Sequence, residues 1–339
     1  MAGSPVTGFS PAAPLLDVKN LQVHFAVYGG RLRVLDGVNF SMRSGERVGL
    51  VGETGCGKTT MMKAILRVLP TPPAKIPAGE ILFKGRDILK MRDHELRAVR
   101  GRGISMIFQD PTAALNPVFS IGEQVEAVIR YSTSPGKASS REETHQRAIT
   151  ALQEVALADP ERLLRSYPIQ LSGGMRQRVC IGMALSTRPE ILIADEPGTS
   201  LDVTIQDQVL RLLRKLVEEK DTSVILITHT LGIVRETTDR VYVMYAGNIV
   251  ESAPTARLFS QPLHPYTQGL ISTVPRLTGG GIASGIPGRI PDYLNPPSGC
   301  RFHPRCSQMM EICRTTKPPA FKMGDGHEVA CFLYKDEAK

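Results

Sequence analysis

RVGLVGETGCGKTTMMKAILRVL, residues 47–69, opens with five residues of strand type, turns through three glycines within six positions, and leaves in a helical run. Strand, glycine loop and helix in that order are the setting a phosphate-binding loop requires. The match is Gly52, four residues, then Gly57, Lys58 and Thr59. With average residue usage this pattern arises by chance in roughly one chain of this length in a hundred, and the flanking elements lower that figure further. Glycines let backbone N–H groups curl around phosphate oxygens with no Cβ in the way. The helix N-terminus adds its dipole. On this pattern Lys58 reaches the β- and γ-phosphates and the Thr59 hydroxyl binds Mg²⁺. Glu53, Thr54, Gly55, Cys56 and Thr60 complete the cradle. Cys56 is an unusual residue there. It reads either as a small side chain that fits or as a point of sensitivity to thiol reagents.

Two later stretches end in polar residues at strand tips. ILIADEP (191–197) is a buried-strand pattern running into two acids. Asp195 fits the aspartate that holds the Mg²⁺ shell, and Glu196 can polarise an attacking water. SVILITHT (223–230) ends at His229. Parallel α/β sheets gather ligands at the carboxyl ends of their strands, so His229 is a candidate neighbour of the γ-phosphate.

Composition bounds the remaining classes. The chain has 339 residues, 42% hydrophobic and 22% charged, which is enough for one large or two modest domains with a real core. No apolar run is long enough to cross a bilayer, and the N-terminus does not read as a secretory signal. The net charge is +8, but the basic residues are spread out and not interleaved with aromatics. A basic surface near anionic lipid accounts for it without a nucleic-acid partner.

LSGGM (171–175) decides the family. The order GETGCGKT, IFQDP (107–111), LSGGMRQR (171–178), ILIADEP, TSLD (199–202) and ITHT resembles the full motif set of ABC-type ATPases. That resemblance implies an α/β fold: a RecA-like P-loop NTPase core, an antiparallel β subdomain and a helical signature subdomain. It implies that Gln109 touches Mg²⁺ and the attacking water. It implies that Ser172, Gly173 and Gly174 cap the γ-phosphate of ATP held by a second cassette, with Asp202 at the subunit contact. His229 would be the switch histidine, and Phe25, or else Tyr28, would stack on adenine. A Ser-Gly-Gly step into a helix supports the capping role physically, because it offers free N–H groups and a dipole. Two positions depart from the family: Gly198 stands where Thr is common, and Thr230 where Asp is common. Neither removes a catalytic group.

Further along, FQDPTAALNPVFSIGEQ (108–124), VYVMYAGNIVESAP (241–254), QPLHPYTQGL (261–270) and GCRFHPRC (299–306) resemble the ATPase subunits of bacterial dipeptide, oligopeptide and nickel importers. Four of the six cysteines lie in the tail, as Cys300–x5–Cys306–x6–Cys313–x17–Cys331. Zinc knuckles space paired cysteines by two to four residues, and these do not. Four thiolates suit an iron–sulfur cluster or zinc. The resemblance implies a [4Fe–4S] cluster, and a Cys-x2-His-x2-Cys arrangement through His303 keeps zinc open. The Gly/Pro-rich stretch 277–299 cannot build a core, and a metal centre would tie it down.

The expected organisation is an N-terminal extension (1–14), an ATPase domain (15–250) with a helical subdomain at about 112–180, and a small metal-binding C-terminal extension (251–339). Strands are expected near 17–26, 38–42, 47–51, 103–108, 190–195, 223–228 and 240–245, with loops over 70–79 and 132–143. One P-loop and one signature per chain imply a second ATPase subunit, a related chain or another copy. The resemblance adds two transmembrane permease subunits, an extracytoplasmic solute-binding protein acting indirectly, and a peripheral place on the cytoplasmic face of the cell membrane. The expected function is ATP hydrolysis that energises solute import. The competing readings are a soluble ABC ATPase of repair, translation or cluster assembly, and a metal-binding regulator with a vestigial nucleotide site. The first of these often carries fused cassettes or a long coiled coil, which this chain lacks. Intact Lys58, Asp195, Glu196 and His229 argue against the second.

Overall fold

The computed structural model describes residues 13–132, 140–199, 201–273 and 285–337. β1 (Leu16–Val27) and β2 (Gly30–Met42) form an antiparallel hairpin. β3 (Arg47–Val51) leads through the glycine loop into α1 (Lys58–Ile65). The short strands β4 (Ala74–Lys75), β5 (Glu80–Phe83) and β6 (Arg86–Asp87) come after it, then α2 (Asp93–Ala98) and β7 (Ile104–Ile107). A helical block comes next: α3 (Pro111–Ala114), α4 (Ile121–Ser132), α5 (Arg141–Glu154), α6 (Pro160–Arg165) and α7 (Gly173–Leu185). Strand and helix then alternate as β8 (Ile191–Asp195), α8 (Val203–Glu219), β9 (Ser223–Ile227), α9 (Leu231–Thr237) and β10 (Arg240–Tyr245). The tail holds β11 (Asn248–Pro254), α10 (Thr255–Ser260), α11 (Pro265–Ser272), α12 (Ile312–Thr315), β12 (Phe321–Lys322) and β13 (Glu328–Val329).

Two sheets organise these elements. The first is antiparallel, in the order β2-β1-β5-β6, with β4 also on β1. The second runs β12-β13-β11-β10-β3-β9-β8-β7, parallel from β10 to β7 and antiparallel beyond β10. Every residue of β8 and β9 is buried. That is why their sequences are unbroken apolar runs rather than alternating ones, as both faces of a central parallel strand are covered. Val48, Leu50, Ile193 and Ile225 pack with α1 and the antiparallel sheet in one core. Leu192, Ala194, Val224 and Leu226, on the other face, pack with the helical block. α8 shows the matching stripe: Val209, Leu213, Leu216 and Val217 are buried at helical spacing. Each such side chain, fully buried, contributes roughly 1.5–3 kcal/mol.

The α/β class and the mixed sheets agree with the sequence reading; β5, β6, β11, β12 and β13 are strands outside the expected set, and three expected stretches differ in extent. β2 starts at Gly30 rather than at residue 38, because Gly30–Arg33, Leu35 and Asp36 pair with β1; ladder pairing overrides its weak local pattern. Within the expected loop 70–79, Ala74 and Lys75 pair with Phe25 and His24. Within the expected loop 132–143, Arg141 to Glu143 form the first turn of α5, because the Ser140 hydroxyl caps it by accepting from the Glu143 N–H at 3.0 Å. Residues 133–139, most of the N-terminal extension and residues 274–284 of the Gly/Pro-rich stretch lie outside the described residues.

The tail is woven into the core sheet. β11 pairs with β10 and β13 with β11. Glu251 on β11 is fully buried and ties three segments together. Its carboxylate accepts from the Leu263 N–H (2.8 Å) and the His264 N–H (2.9 Å), and pairs with His327 Nε2 at 2.7 Å. Burial pushes the His264 imidazole down to about 4, so it is neutral, and its Nδ1 accepts from the Tyr266 N–H at 3.0 Å. Replacing Glu251 by Ala strands these partners in a dry site. The variant is expected to lose about 3 kcal/mol of stability, measured by urea denaturation.

Candidate active site

The parallel register sets the site. Leu50 pairs with Ile227, and Ile227 with Asp195, so β3, β9 and β8 end at one level. The glycine loop, Thr228–His229 and Glu196 continue these three strands and therefore emerge at the same edge. The loop lies flush on β10. Gly52 sits at φ +151°, and a Cβ there would come within 2.1 Å of the Met244 carbonyl oxygen. Only glycine allows that approach.

Lys58 is buried and folds back on its own loop, donating to the carbonyls of Gly52 (2.8 Å) and Glu53 (3.0 Å). Cys56 is fully buried, and burial pushes its thiol up against the opposing pull of Lys58. Burial and a raised thiol pKa both lower the reactivity of Cys56 in this arrangement, which favours the reading as a small residue that fits. The Thr59 hydroxyl donates to Asp195 Oδ2 at 2.8 Å. Burial holds the Asp195 carboxyl above its ordinary range; Glu196 adds to this, while the Thr59 bond and Lys58 oppose it.

Three separate stretches meet at one oxygen. Glu196 Oε2 receives Gln109 Nε2 at 3.1 Å and the Thr199 hydroxyl at 3.0 Å, and His229 Nδ1 stands 3.6 Å away. Sequence reasoning does not single out Thr199, although it lies in the quoted TSLD stretch. The Glu196 backbone sits at φ +47°, with its N–H on the Ile227 carbonyl at 2.8 Å. Its side chain is thereby turned back beside the tip of β9.

Other candidates lie apart from this cluster. Ser172 caps α7 by accepting from the Met175 N–H at 3.3 Å. The neighbours of Gly173 and Gly174 are the side chains of Leu201 and Ile205, not the phosphate loop. Asp202 caps α8 through the Ile205 N–H at 3.0 Å. Gly198 faces Gln206, whose Cγ would lie 2.6 Å from an added Cβ, so the common Thr does not fit without moving Gln206. Phe25 is half-buried against the first core, whereas Tyr28 is fully exposed in the β1–β2 turn.

The four tail cysteines are free thiols drawn from distant points of the tail into one neighbourhood. The Cys300 N–H donates to the Cys313 carbonyl at 2.9 Å. Burial, reinforced by the other tail thiols, pushes Cys300 up to about 11; burial also pushes Cys331 up to about 11, with Cys306 and Cys313 adding to it. Yet among the described residues no group of three or more His, Cys, Asp or Glu side chains is arranged to hold a metal ion. The expected metal-binding character of the extension thus has no formed ligand set behind it. Burial disfavours the thiolate form of Cys300, Cys306 and Cys331. His303 Nδ1 meets the Cys300 carbonyl at 2.9 Å.

A family model described as "ABC transporter" matches residues 35–199, and one described as "Oligopeptide/dipeptide transporter, C-terminal region" matches residues 250–313. The chain is 45% identical to the dipeptide transport ATP-binding protein DppD of Bacillus subtilis over 96% of each chain. It is 44% identical to the oligopeptide transport ATP-binding protein OppD of the same organism, over 96% of this chain and 90% of that one. It also resembles the solved dimeric, post-hydrolysis form of the ATP-binding cassette MJ0796 bound to ADP and phosphate, with a TM-score of 0.62 and 29% identity over 71% of this chain and 98% of that one.

The strained charge of Asp195 gives a test. Its folded-state pKa lies above the unfolded value, so above that pKa the charge costs folding stability, and the cost fades as pH falls towards the ordinary aspartate range. In chelator near neutral pH, Asp195→Asn is expected to be more stable than wild type by on the order of 1 kcal/mol, with the gap closing in acid. Thermal denaturation across pH measures it.

Proposed function

The chain belongs to the ATP-binding subunits of ABC transporters, in the branch that carries the oligopeptide/dipeptide transporter C-terminal region, and we propose that it hydrolyses ATP at the cytoplasmic face of the cell membrane to drive import of peptides or similar small solutes. The observation that carries this is the meeting of Gln109, Thr199 and His229 on Glu196, beside the Thr59–Asp195 pair and the glycine loop. Residues 15–250 are the ATPase domain, with its helical subdomain at about 112–180, and residues 251–339 are the extension. Relatives named for peptide transport over nearly the whole chain favour this over a soluble repair or translation ATPase.

The residues supply the chemistry. Lys58 gives up its bonds to the loop carbonyls for phosphate oxygens, while the loop N–H groups and the α1 dipole hold the rest of the charge. The Thr59 hydroxyl and the Asp195 carboxylate are adjacent hard oxygen donors, strained without a cation, and fit Mg²⁺ with Gln109 as a further oxygen donor. When bound, the ion neutralises charge on the β- and γ-phosphates. Glu196 aligns the attacking water and takes its proton, and His229 steadies the carboxylate. Phe25 supports the adenine ring.

A single chain cannot close the site. Its Ser172, Gly173 and Gly174 pack towards Leu201 and Ile205, which leaves them to cap nucleotide held by a second subunit, with Asp202 at the contact. A related ATPase chain is the proposed partner, a second copy the alternative. The membrane contact is supported by an exposed apolar face: Val118, Phe119, Tyr167 and Ile169 protrude where the Ile121 N–H bonds the Ser166 carbonyl and joins their two segments. That face suits two permease subunits, which in turn meet an extracytoplasmic solute-binding protein. Among the described residues no helix is long and apolar enough to cross a membrane.

In the tail, Cys300, Cys306, Cys313 and Cys331 are the proposed ligands of a [4Fe–4S] cluster, with zinc as the alternative. Four free thiols in mutual electrostatic reach supply the soft donor set either requires. Binding a cation displaces protons from the thiols, so affinity for the metal falls with falling pH. Iron and sulfide, rather than zinc, are expected in anaerobically purified protein; zinc without iron sinks the cluster assignment.

Glu196→Gln is expected to keep MgATP binding and to lose hydrolysis by about 10²–10³-fold. The measurement is ATPase activity and nucleotide binding on the complex reconstituted with its permeases. Peptide uptake into vesicles must disappear in parallel.

A further inference from the structure

Three side chains from separate points of the tail converge on neighbouring residues of the phosphate loop. The hydroxyl of buried Tyr266, on α11, accepts from the Glu53 N–H at 2.8 Å. The Tyr293 hydroxyl donates to the Gly55 carbonyl at 2.8 Å. Arg305 pairs with the Glu53 carboxylate, Nη1 to Oε2, at 2.9 Å. The arginine is itself fixed. Its Nε donates to the Pro287 carbonyl (2.7 Å) and its Nη2 to the Ile286 carbonyl (3.1 Å), and the guanidinium lies 5.6 Å from the Tyr245 ring centre. Only 6% of its side chain is exposed. Arg301, four residues earlier, donates to the carbonyls of Arg33 (3.0 Å) and Ala246 (2.6 Å), and the next residue, Gly247, donates its N–H to the Cys56 carbonyl at 2.8 Å. The outer side of the loop, from residue 53 to 56, is thus held by the tail and by the strand turn that the tail supports.

We infer that Arg305, with Tyr266 and Tyr293, is a positioning element for the phosphate loop, setting the affinity for ATP from the tail. This rests on the reading of residues 52–60 as the ATP cradle. A loop with three glycines in six residues loses much conformational freedom when it orders around a phosphate. Bonds that fix its shape beforehand remove part of that cost from binding. They act on the loop and not on the reacting atoms, so their loss weakens ground state and transition state alike: KM rises and kcat holds.

The test uses the full-length chain in its reconstituted complex, with MgATP as the probe. Arg305→Ala is expected to raise KM about threefold to tenfold, because only the part of this charge-assisted bond that orders the loop is felt in nucleotide binding. Glu53→Gln is expected to act in the same direction. Tyr293→Phe, which removes one hydroxyl, is expected to raise KM about twofold to fivefold. In Arg305→Ala and Tyr293→Phe, kcat stays within about twofold of wild type. The double variant Glu53→Gln with Arg305→Ala is no worse than the larger single, because the two share one interaction. KM values at wild-type level in the single variants, effects that multiply in the double, or a loss confined to kcat each overturn the inference. Should Arg305→Ala misfold, Tyr293→Phe, outside the 300–306 segment, decides it by the same criterion. Lys58→Ala separates the layers: if it binds MgATP as well as wild type, the cradle reading itself fails, whereas its loss of binding beside unchanged tail variants rejects the positioning role alone.

Discussion

Register in the parallel sheet is the constraint on which everything else depends. With Leu50 opposite Ile227 and Ile227 opposite Asp195, three strands finish together and release their loops at one edge. The side-chain period of a strand is two, so a slip of one residue would turn Asp195 to the opposite face and carry Glu196 away from Gln109 and His229. The apolar residues on both faces of β8 and β9 fix that register, since every position has a core to satisfy. Catalytic geometry here is a by-product of core packing.

The site is electrostatically unfinished without ligands. Lys58 is held by its own loop, Asp195 carries a charge that burial disfavours, and Glu196 gathers a glutamine, a threonine and a histidine around one oxygen. Each arrangement leaves charge that the proposed polyphosphate and divalent cation would neutralise. The stability that Asp195 forgoes is the ordinary trade between a well-satisfied fold and a site able to bind.

The tail joins the core twice over. Its β11 and β13 extend the central sheet, and the buried Glu251 binds His264 and His327 into one polar knot. Through Tyr266, Tyr293 and Arg305 it also touches the loop that begins the nucleotide site. The cysteines therefore sit in a segment whose own arginines reach the core and the phosphate loop.

The sequence by itself determined the local pieces and the family. The glycine loop between strand and helix, the acids and histidine at strand tips, and the signature serine-glycine step are written in short spans, because backbone sterics and helix ends act over a few residues. The full length of β2 and the strand at Ala74 are not legible locally, since their stability comes from a ladder partner rather than from their own pattern. What only the tertiary structure decided is which distant groups meet. Gln109 and His229 on Glu196, and the tail's tyrosines and arginine on residues 53 and 55, depend on contacts that cross up to about 250 positions of chain. No local rule reaches that far. Such contacts exist only once hydrophobic burial has stacked the sheets and closed the loops between them.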